Sequence, residues 1–194
     1  MEKNRTHTEQ RLIDATNGLI TDKGFEKLGI NAIAEKAGVD KKLIYRYFGS
    51  LDGLINECLK RNDFWANVPE GLPQATEMKD YAKEIFRQQI KHFRENSIMN
   101  RLSRWELSNQ NDFVDELRQK RENTGLERIA TVSRTLGMDR KEVAGVTSLI
   151  TAGITYLAML KENCRYYNGI DIQSDEGWEE IAESVDKIID SLIQ

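Results

Sequence analysis

At 194 residues and 22.4 kDa, the chain is long enough for one or two domains with a sizeable core. A charged fraction of 31% and a mean hydropathy of −0.59 are typical of a soluble globular protein, and the presence of only two prolines favours long helices. No charged-then-apolar leader opens the sequence, and residues 149–160, its most apolar run, are too short to span a bilayer. We therefore expect a cytoplasmic protein with no membrane partner.

The net charge of −4 is unevenly distributed along the chain. Residues 1–61 hold 11 Lys and Arg against 9 Asp and Glu, a balance of +2, whereas residues 62–194 hold 17 against 23, a balance of −6. This asymmetry places any contact with a polyanion in the amino-terminal part. Cys58 and Cys164 lie far apart and lack metal-ligand spacing, as is usual for a protein of the reducing cytosol.

The first helix is predicted to begin near Thr6, because Thr6 and Glu9 have the spacing of a capping box. Gly24 is expected to end it, since glycine accepts the left-handed backbone that closes a helix. Its apolar residues recur at helical spacing and should be buried: Leu12, Ile13, Ala15, Leu19 and Ile20.

The pattern of residues 30–48 predicts two short helices joined by a tight turn. The apolar periodicity stops at Gly38, and Asp40 can cap the second helix, Lys41–Phe48, by accepting backbone N–H groups. Ile44 and Phe48 should be buried, which leaves basic and aromatic side chains exposed: Lys41, Lys42, Tyr45, Arg46 and Tyr47. This arrangement is typical of a helix-turn-helix that binds the major groove, although small helical hairpins with solvated basic faces are also common.

Residues 24–54, GFEKLGINAIAEKAGVDKKLIYRYFGSLDGL, resemble the amino-terminal DNA-binding domain of the TetR family of bacterial transcriptional regulators. The matching positions are Gly24, Phe25, Ile33, Ala34, Ala37, Gly38, Val39, Ile44, Tyr45, Tyr47, Phe48, Ser50 and Leu54. The resemblance implies an all-α fold in which a three-helix helix-turn-helix domain is followed by a helical domain for ligand binding and dimerisation. It also implies a regulator that is not an enzyme, needs no cofactor or metal, and acts as a repressor.

The resemblance further indicates which residues lie against DNA: Gly29, Asn31, Lys41, Lys42, Leu43, Tyr45, Arg46 and Tyr47. Three positions depart from the family pattern. Gly29 replaces a threonine that caps the second helix and binds a phosphate, and Leu51 replaces a phosphate-binding lysine. Lys42 and Leu43 replace residues that are commonly small or proline, so the operator sequence of a relative does not predict the one that this chain binds.

A fourth helix is predicted from Ser50 to about Asn67, followed by the proline-bearing segment 68–73. We expect residues 1–50 to form the DNA-binding domain, 51–67 a connecting helix, and 68–194 the effector-binding and dimerisation domain. Further helices are predicted from the 3.6-residue period at residues 76–95, from 97, at 111–136, at 141–164 and after a cap at Ser174, with a loop at 165–177.

The last two helices allow two interpretations. They form the core of a monomer, or they pair with a second copy of the chain as in TetR-like proteins. A homodimer is favoured because a two-fold molecule binds both half-sites of a palindrome. Its expected interface residues are Leu149, Gly153, Leu157, Trp178, Ile181, Val185 and Ile188.

Large apolar side chains in the body suggest a cavity for a small, largely apolar effector. The candidate residues are Trp65, Phe86, Ile90, Phe93, Met99, Leu102, Trp105 and Tyr156, and each could equally be a core residue. Glu106 could supply a polar contact.

Two other classes of function are weighed against a DNA-binding regulator. An enzyme is disfavoured because the two histidines, His7 and His92, lie outside any ligand motif and no catalytic motif is present. A helical protein-interaction module without DNA binding is the alternative, and salt dependence distinguishes it from a regulator.

Overall fold

A computed structural model describes residues 2–25, 28–65, 67–68 and 71–193, with side chains from residue 5 onward. The described residues form nine α-helices and one β-hairpin, which confirms the all-α class. The helices are α1 Glu2–Lys23, α2 Ile30–Ala37, α3 Lys42–Phe48, α4 Leu51–Asn62, α5 Met78–Glu95, α6 Ser97–Ser108, α7 Asp112–Leu136, α8 Arg140–Leu160 and α9 Asp175–Leu192. A 3-10 turn, Ala75–Glu77, precedes α5. The predicted segment 68–73 lies partly outside the described residues.

The chain divides into two compact units. The first consists of Met1–Asn67 and Ser97–Gln119, and the second of Val68–Asn96 and Lys120–Gln194. Helix α6 and the start of α7 are therefore grouped with the amino-terminal helices, although the sequence suggested that they belong to the body. Helix α7 contributes to both units.

In the first unit, α1 packs against α2, α4 and α6, and α3 packs against α4. The predicted stripe of α1 is buried, as are Ile33 in α2, Ile44 in α3 and Leu54 in α4. Arg101 of α6 donates from Nη1 to the carbonyl oxygen of Ile20 at 2.6 Å, and the same oxygen near the end of α1 also accepts the N–H of Gly24 at 3.1 Å.

Two helix boundaries in this unit differ from the prediction. Helix α1 begins at Glu2 rather than near Thr6, and an ion pair between Arg5 and Glu9, one turn apart at 2.8 Å, supports the additional turn. Helix α4 ends at Asn62, five residues before the expected end, because Asp63 adopts an extended conformation. The Asn67 side chain donates to the carbonyl oxygen of Asp63 at 2.6 Å.

In the second unit, α5 packs against α8 and α9. The predicted apolar face of α5 is buried at Met78, Ile85, Phe86, Ile90 and Phe93. Another face of α5 forms a row of ion pairs with α9: Lys83–Asp190 at 2.6 Å, Arg87–Asp186 at 2.7 Å, Arg87–Glu179 at 2.8 Å, and Arg94–Asp175. The hydrogen bond that the Lys83 ammonium donates to Asp190 raises the pKa of Lys83. These spacings show that α5 and α9 run antiparallel.

The predicted loop at residues 165–177 contains a β-hairpin of β1, Tyr166–Tyr167, and β2, Ile170–Asp171. Asn168 and Gly169 join the strands with φ angles of 51° and 86°, as a type I′ turn requires. The expectation of a loop throughout this segment was wrong, because Asn168-Gly169 is a dipeptide that favours a tight hairpin turn. Helix α8 ends at Leu160 rather than Cys164, and Ser174 caps α9 as predicted by accepting the N–H of Gly177 at 2.9 Å.

Candidate nucleic-acid interface

The turn between α2 and α3 has a defined hydrogen-bond pattern. Gly38 has a φ of 63°, and its N–H donates to the carbonyl oxygen of Glu35 while the N–H of Val39 donates to that of Ala34, each at 3.0 Å. This pair of bonds is a Schellman motif, which needs a left-handed residue at the position of Gly38. The Asp40 carboxylate accepts the N–H of Lys42 at 2.8 Å, as the sequence predicted.

Helix α1 holds the same turn from the other side. The Arg11 guanidinium donates from Nη2 to the carbonyl oxygens of Ala37 at 2.5 Å and Gly38 at 3.1 Å. A cation is favoured at these carbonyls because they lie at the negative end of the α2 dipole. Helices α1 and α2 therefore both hold the turn from which α3 begins. No local sequence pattern indicates this role of Arg11, which lies 26 residues before Ala37.

Helix α3 is anchored by one apolar residue and exposes charge and aromatic surface around it. Ile44 is fully buried, whereas its neighbour Tyr45 is 54% exposed. Lys41, Lys42 and Arg46 are also exposed. These four side chains project from a short segment that Ile44 anchors in the core. They can therefore contact a flat or grooved partner while the helix stays folded. Leu43 and Tyr47 are half-buried, as is Phe48, which was expected to be buried.

Two guanidinium groups lie close to the Tyr47 ring. The Cζ atom of Arg46 is 5.9 Å from the Tyr47 ring centroid, and that of Arg5 in α1 is 5.5 Å from it. Both distances are within the range of a cation–π contact. Arg5 also forms the ion pair with Glu9, so its charge is held at this site. The sequence places Arg5 only in an amino-terminal tail that is free to follow the DNA backbone, because sequence spacing cannot relate it to Tyr47, 42 positions away. In the structure it belongs to α1.

The predicted residues of α2 lie at the edge of this surface. The Lys41 ammonium donates to Oδ1 of Asn31 at 3.3 Å, which brings two predicted DNA-binding residues together across the turn. Gly29 precedes α2 with an extended backbone, φ −155° and ψ 154°, and has no side chain to cap the helix. A Cβ atom at Gly29 would meet nothing within 4 Å.

We expect the substitution Gly29→Ser to stabilise the first unit by about 0.5–1 kcal/mol, because serine adds a capping oxygen and restricts the unfolded chain. Gly29→Ala is the matched control, since alanine restricts the chain but cannot cap. Thermal unfolding followed by circular dichroism should give a higher melting temperature for the serine variant than for the alanine variant. Equal melting temperatures would show that a cap at this position contributes nothing.

The predicted effector residues are divided between the two units. Trp65, Met99, Leu102 and Trp105 belong to the first, and Phe86, Ile90, Phe93 and Tyr156 to the second. Met99, Leu102, Phe86, Ile90 and Phe93 are buried, Trp65 and Trp105 are half-buried, and Tyr156 is 50% exposed.

Three local contacts refine this picture. The Trp105 ring stacks on Phe25 with centroids 6.1 Å apart, inside the first unit. Tyr156 makes an edge contact with Tyr167 of the hairpin at 6.0 Å. Glu106 is buried and accepts from Arg118 Nε at 3.3 Å, so its carboxylate already has a cationic partner within the first unit.

The predicted dimer residues fall into two groups. Leu149 is 77% exposed, Ile188 is 43% exposed, Gly153 is exposed, and Leu157 is half-buried. Trp178, Ile181 and Val185 are instead buried inside the protomer. The Trp178 indole donates to the carbonyl oxygen of Ile172 at 2.8 Å. These three side chains belong to the core because the apolar face of α9 packs against the protomer's own α5 and hairpin.

Helix α8 leaves an apolar surface uncovered. Among the described residues it is the one helix long and apolar enough to cross a membrane, judged by length and composition. Residues 149–160 were expected to be too short to span a bilayer, whereas the helix that contains them is 21 residues long. Only 22% of its most apolar stretch is buried in the protomer.

Comparisons with known proteins agree with the resemblance found in the sequence. Residues 12–58 match the family described as bacterial regulatory proteins, tetR family. No curated protein matches the chain. A TetR-like transcriptional regulator from Rhodococcus sp. RHA1 is 16% identical with a TM-score of 0.62, covering 94% of this chain and 93% of that one.

Two other solved structures are similar over the same length. Salmonella enterica GusR is 17% identical with a TM-score of 0.63, covering 96% of this chain and 95% of its own. A TetR family transcriptional regulator from Pseudomonas syringae pv. tomato is 18% identical with a TM-score of 0.60, covering 94% of each chain. The resemblance of the amino-terminal domain is thereby confirmed, and the chain has the fold of TetR-like transcriptional regulators.

Proposed function

We propose that the chain is a cytoplasmic transcriptional regulator that binds a palindromic DNA operator as a homodimer. The observation that carries this proposal is the surface of α3, where Lys41, Lys42, Tyr45 and Arg46 are exposed around the buried anchor Ile44. Cations bind phosphates and position the helix, and a tyrosine offers both a flat face and a hydroxyl to the groove. The match of residues 12–58 to a family of bacterial regulators supports the same function.

A dimer is proposed for two reasons. One short recognition helix contacts only a few base pairs, whereas a two-fold molecule contacts two half-sites spaced by a multiple of the helical turn. The uncovered face of α8, with Leu149 and Gly153 at its centre, is an apolar surface that a second copy of the chain would cover. Without the three residues that are buried inside the protomer, the proposed interface consists of Leu149, Gly153, Leu157 and Ile188.

Repression and release by a small, largely apolar effector are proposed from the family resemblance. An effector changes operator affinity only if it binds two states of the protein unequally. A coupling free energy of about 1–3 kcal/mol corresponds to a change in affinity of about 5- to 150-fold. An effector that favours the state with lower operator affinity acts as an inducer.

The salt dependence of DNA binding tests this function. Three exposed cations, Lys41 just before α3 and Lys42 and Arg46 within it, give about six phosphate contacts in two protomers. The logarithm of the affinity should therefore fall with the logarithm of salt concentration with a slope of about −5. Fluorescence anisotropy of a labelled duplex measures it between about 50 and 300 mM salt. A slope near zero, or no duplex binding at low salt, would instead favour the helical protein-interaction module.

A further inference from the structure

A polar side chain lies at the centre of the apolar face of α5. Gln89 is 0% exposed, and Ile85, Phe86 and Phe93 occupy the positions one turn before and after it. At 100° per residue, Gln89 points about 140° away from the mean direction of the side chains that pair with α9. Its carboxamide is therefore directed into the interior of the second unit, away from the row of ion pairs.

The Gln89 carboxamide lacks the partners that neighbouring polar side chains of α5 have. Among the described residues, neither its nitrogen nor its oxygen has a hydrogen-bond partner. By contrast, the Tyr81 hydroxyl accepts from Arg128 at 3.0 Å, and Gln88 donates to Glu84 at 2.8 Å on the exposed side. Gln89 thus combines complete burial with one unpaired donor group and one unpaired acceptor group.

An unpaired buried amide is costly, because it gives up its hydrogen bonds to water without replacing them. Leucine or methionine would fill the same position in the stripe without that cost. A polar side chain at such a position is explained if something other than the described chain supplies a donor and an acceptor side by side.

We propose that Gln89 is the recognition residue for a small, neutral amide or lactam with an apolar body. Such a group presents one N–H and one C=O on the same edge, so it pairs with a carboxamide through two antiparallel hydrogen bonds. Its apolar body lies against side chains such as Phe86 and Phe93. An anionic group is disfavoured, because neither of the two cations nearest in sequence faces the buried carboxamide. Arg87 is engaged by Asp186 and Glu179 on the α9 side, and Lys91 is exposed.

This inference deepens the proposed function, since it names the chemical class of the effector. It rests on that function only in taking the amide ligand to be the effector. The ligand site belongs to the second unit and the DNA-binding surface to the first. A failure of ligand recognition and a failure of DNA binding are therefore separate results.

Three small probes test the assignment: benzamide, ε-caprolactam and acetophenone. Acetophenone resembles benzamide in size and carries the carbonyl but no N–H. Calorimetric titration of the full chain should show benzamide and caprolactam binding at least tenfold more tightly than acetophenone. The side-chain NH₂ resonances of Gln89, assigned by their loss in Gln89→Met, should shift on titration with benzamide.

The variant Gln89→Met should bind benzamide and acetophenone equally and should melt at a higher temperature than the wild type without ligand, because it removes the unpaired amide. Gln88→Met is the matched control on the exposed side of α5, and it should retain the preference for amides and the wild-type melting temperature.

Several results would overturn the assignment. The first is equal binding of benzamide and acetophenone by the wild type, and the second is no saturable binding of either amide. The third is a lower melting temperature for Gln89→Met than for the wild type. That result would mean that internal water or the chain itself forms the hydrogen bonds of the Gln89 amide. Gln89→Met should still bind duplex DNA in the absence of ligand. A wild-type protein that binds DNA but shows no amide preference contradicts this inference alone, whereas one that binds no DNA contradicts the proposed function.

Discussion

The substitution Tyr45→Ala is expected to reduce operator affinity by about 30-fold at least, and by about 20,000-fold at the upper end. A side chain that contacts a base edge contributes about 1–3 kcal/mol, and the two-fold molecule loses that contact twice. The total of about 2–6 kcal/mol corresponds to these changes in affinity. Fluorescence anisotropy with a labelled operator duplex measures the effect.

Folding stability should remain nearly unchanged in this variant. Tyr45 is 54% exposed and its buried neighbour Ile44 is untouched, so the free energy of unfolding should change by no more than about 0.5 kcal/mol. Tyr166→Ala is the matched control, because Tyr166 is 57% exposed on the hairpin of the second unit. Wild-type affinity in Tyr45→Ala, or an equal loss in Tyr166→Ala, would show that α3 does not contact DNA.

The substitution Leu149→Glu is expected to convert the proposed dimer into monomers at micromolar concentration. Leu149 is 77% exposed in the protomer, so the change should not impair folding. In a two-fold interface it would bury two unpaired carboxylates, which costs several kcal/mol. Sedimentation velocity measures the mass, and DNA affinity should fall in parallel because each monomer binds one half-site.

Leu107→Glu provides the control for the second variant. Leu107 is 71% exposed in α6 of the first unit, so the same change of charge is made at a comparable exposure away from α8. This variant should sediment as a dimer. A wild-type protein that sediments as a monomer would refute the dimer, and wild-type protein recovered with the membrane fraction would mean that lipid covers α8.

Local signals in the sequence predicted the helix-turn-helix well. Gly38 ends α2, Asp40 accepts the N–H of Lys42, and Ser50 caps α4 by accepting the N–H of Gly53 at 3.0 Å. Each of these contacts spans at most a few residues, so residue type and spacing suffice to predict it. Contacts between distant residues could not be predicted this way, which is why Arg11 was missed and why Arg5 was not related to Tyr47.

The apolar periodicity of α9 predicted a buried stripe but could not identify what covers it. Trp178, Ile181 and Val185 were assigned to a partner, whereas they pack inside the protomer. Leu149 on α8 has the same apolar character and is exposed. Periodicity reports that a face is apolar, and only the packing of the folded chain shows which faces remain uncovered. Gln89 illustrates the converse, since a polar residue within an apolar stripe attracts no attention until its burial is known.

Sequence-specific binding of duplex DNA by this chain is the central claim of the proposed function. Selection of bound duplexes from a random pool with the wild-type protein, at low salt and without added small molecules, tests that claim. We predict enrichment of an inverted repeat whose half-sites are separated by one helical turn or a multiple of it. A pool that remains unenriched after repeated rounds of selection would contradict the account.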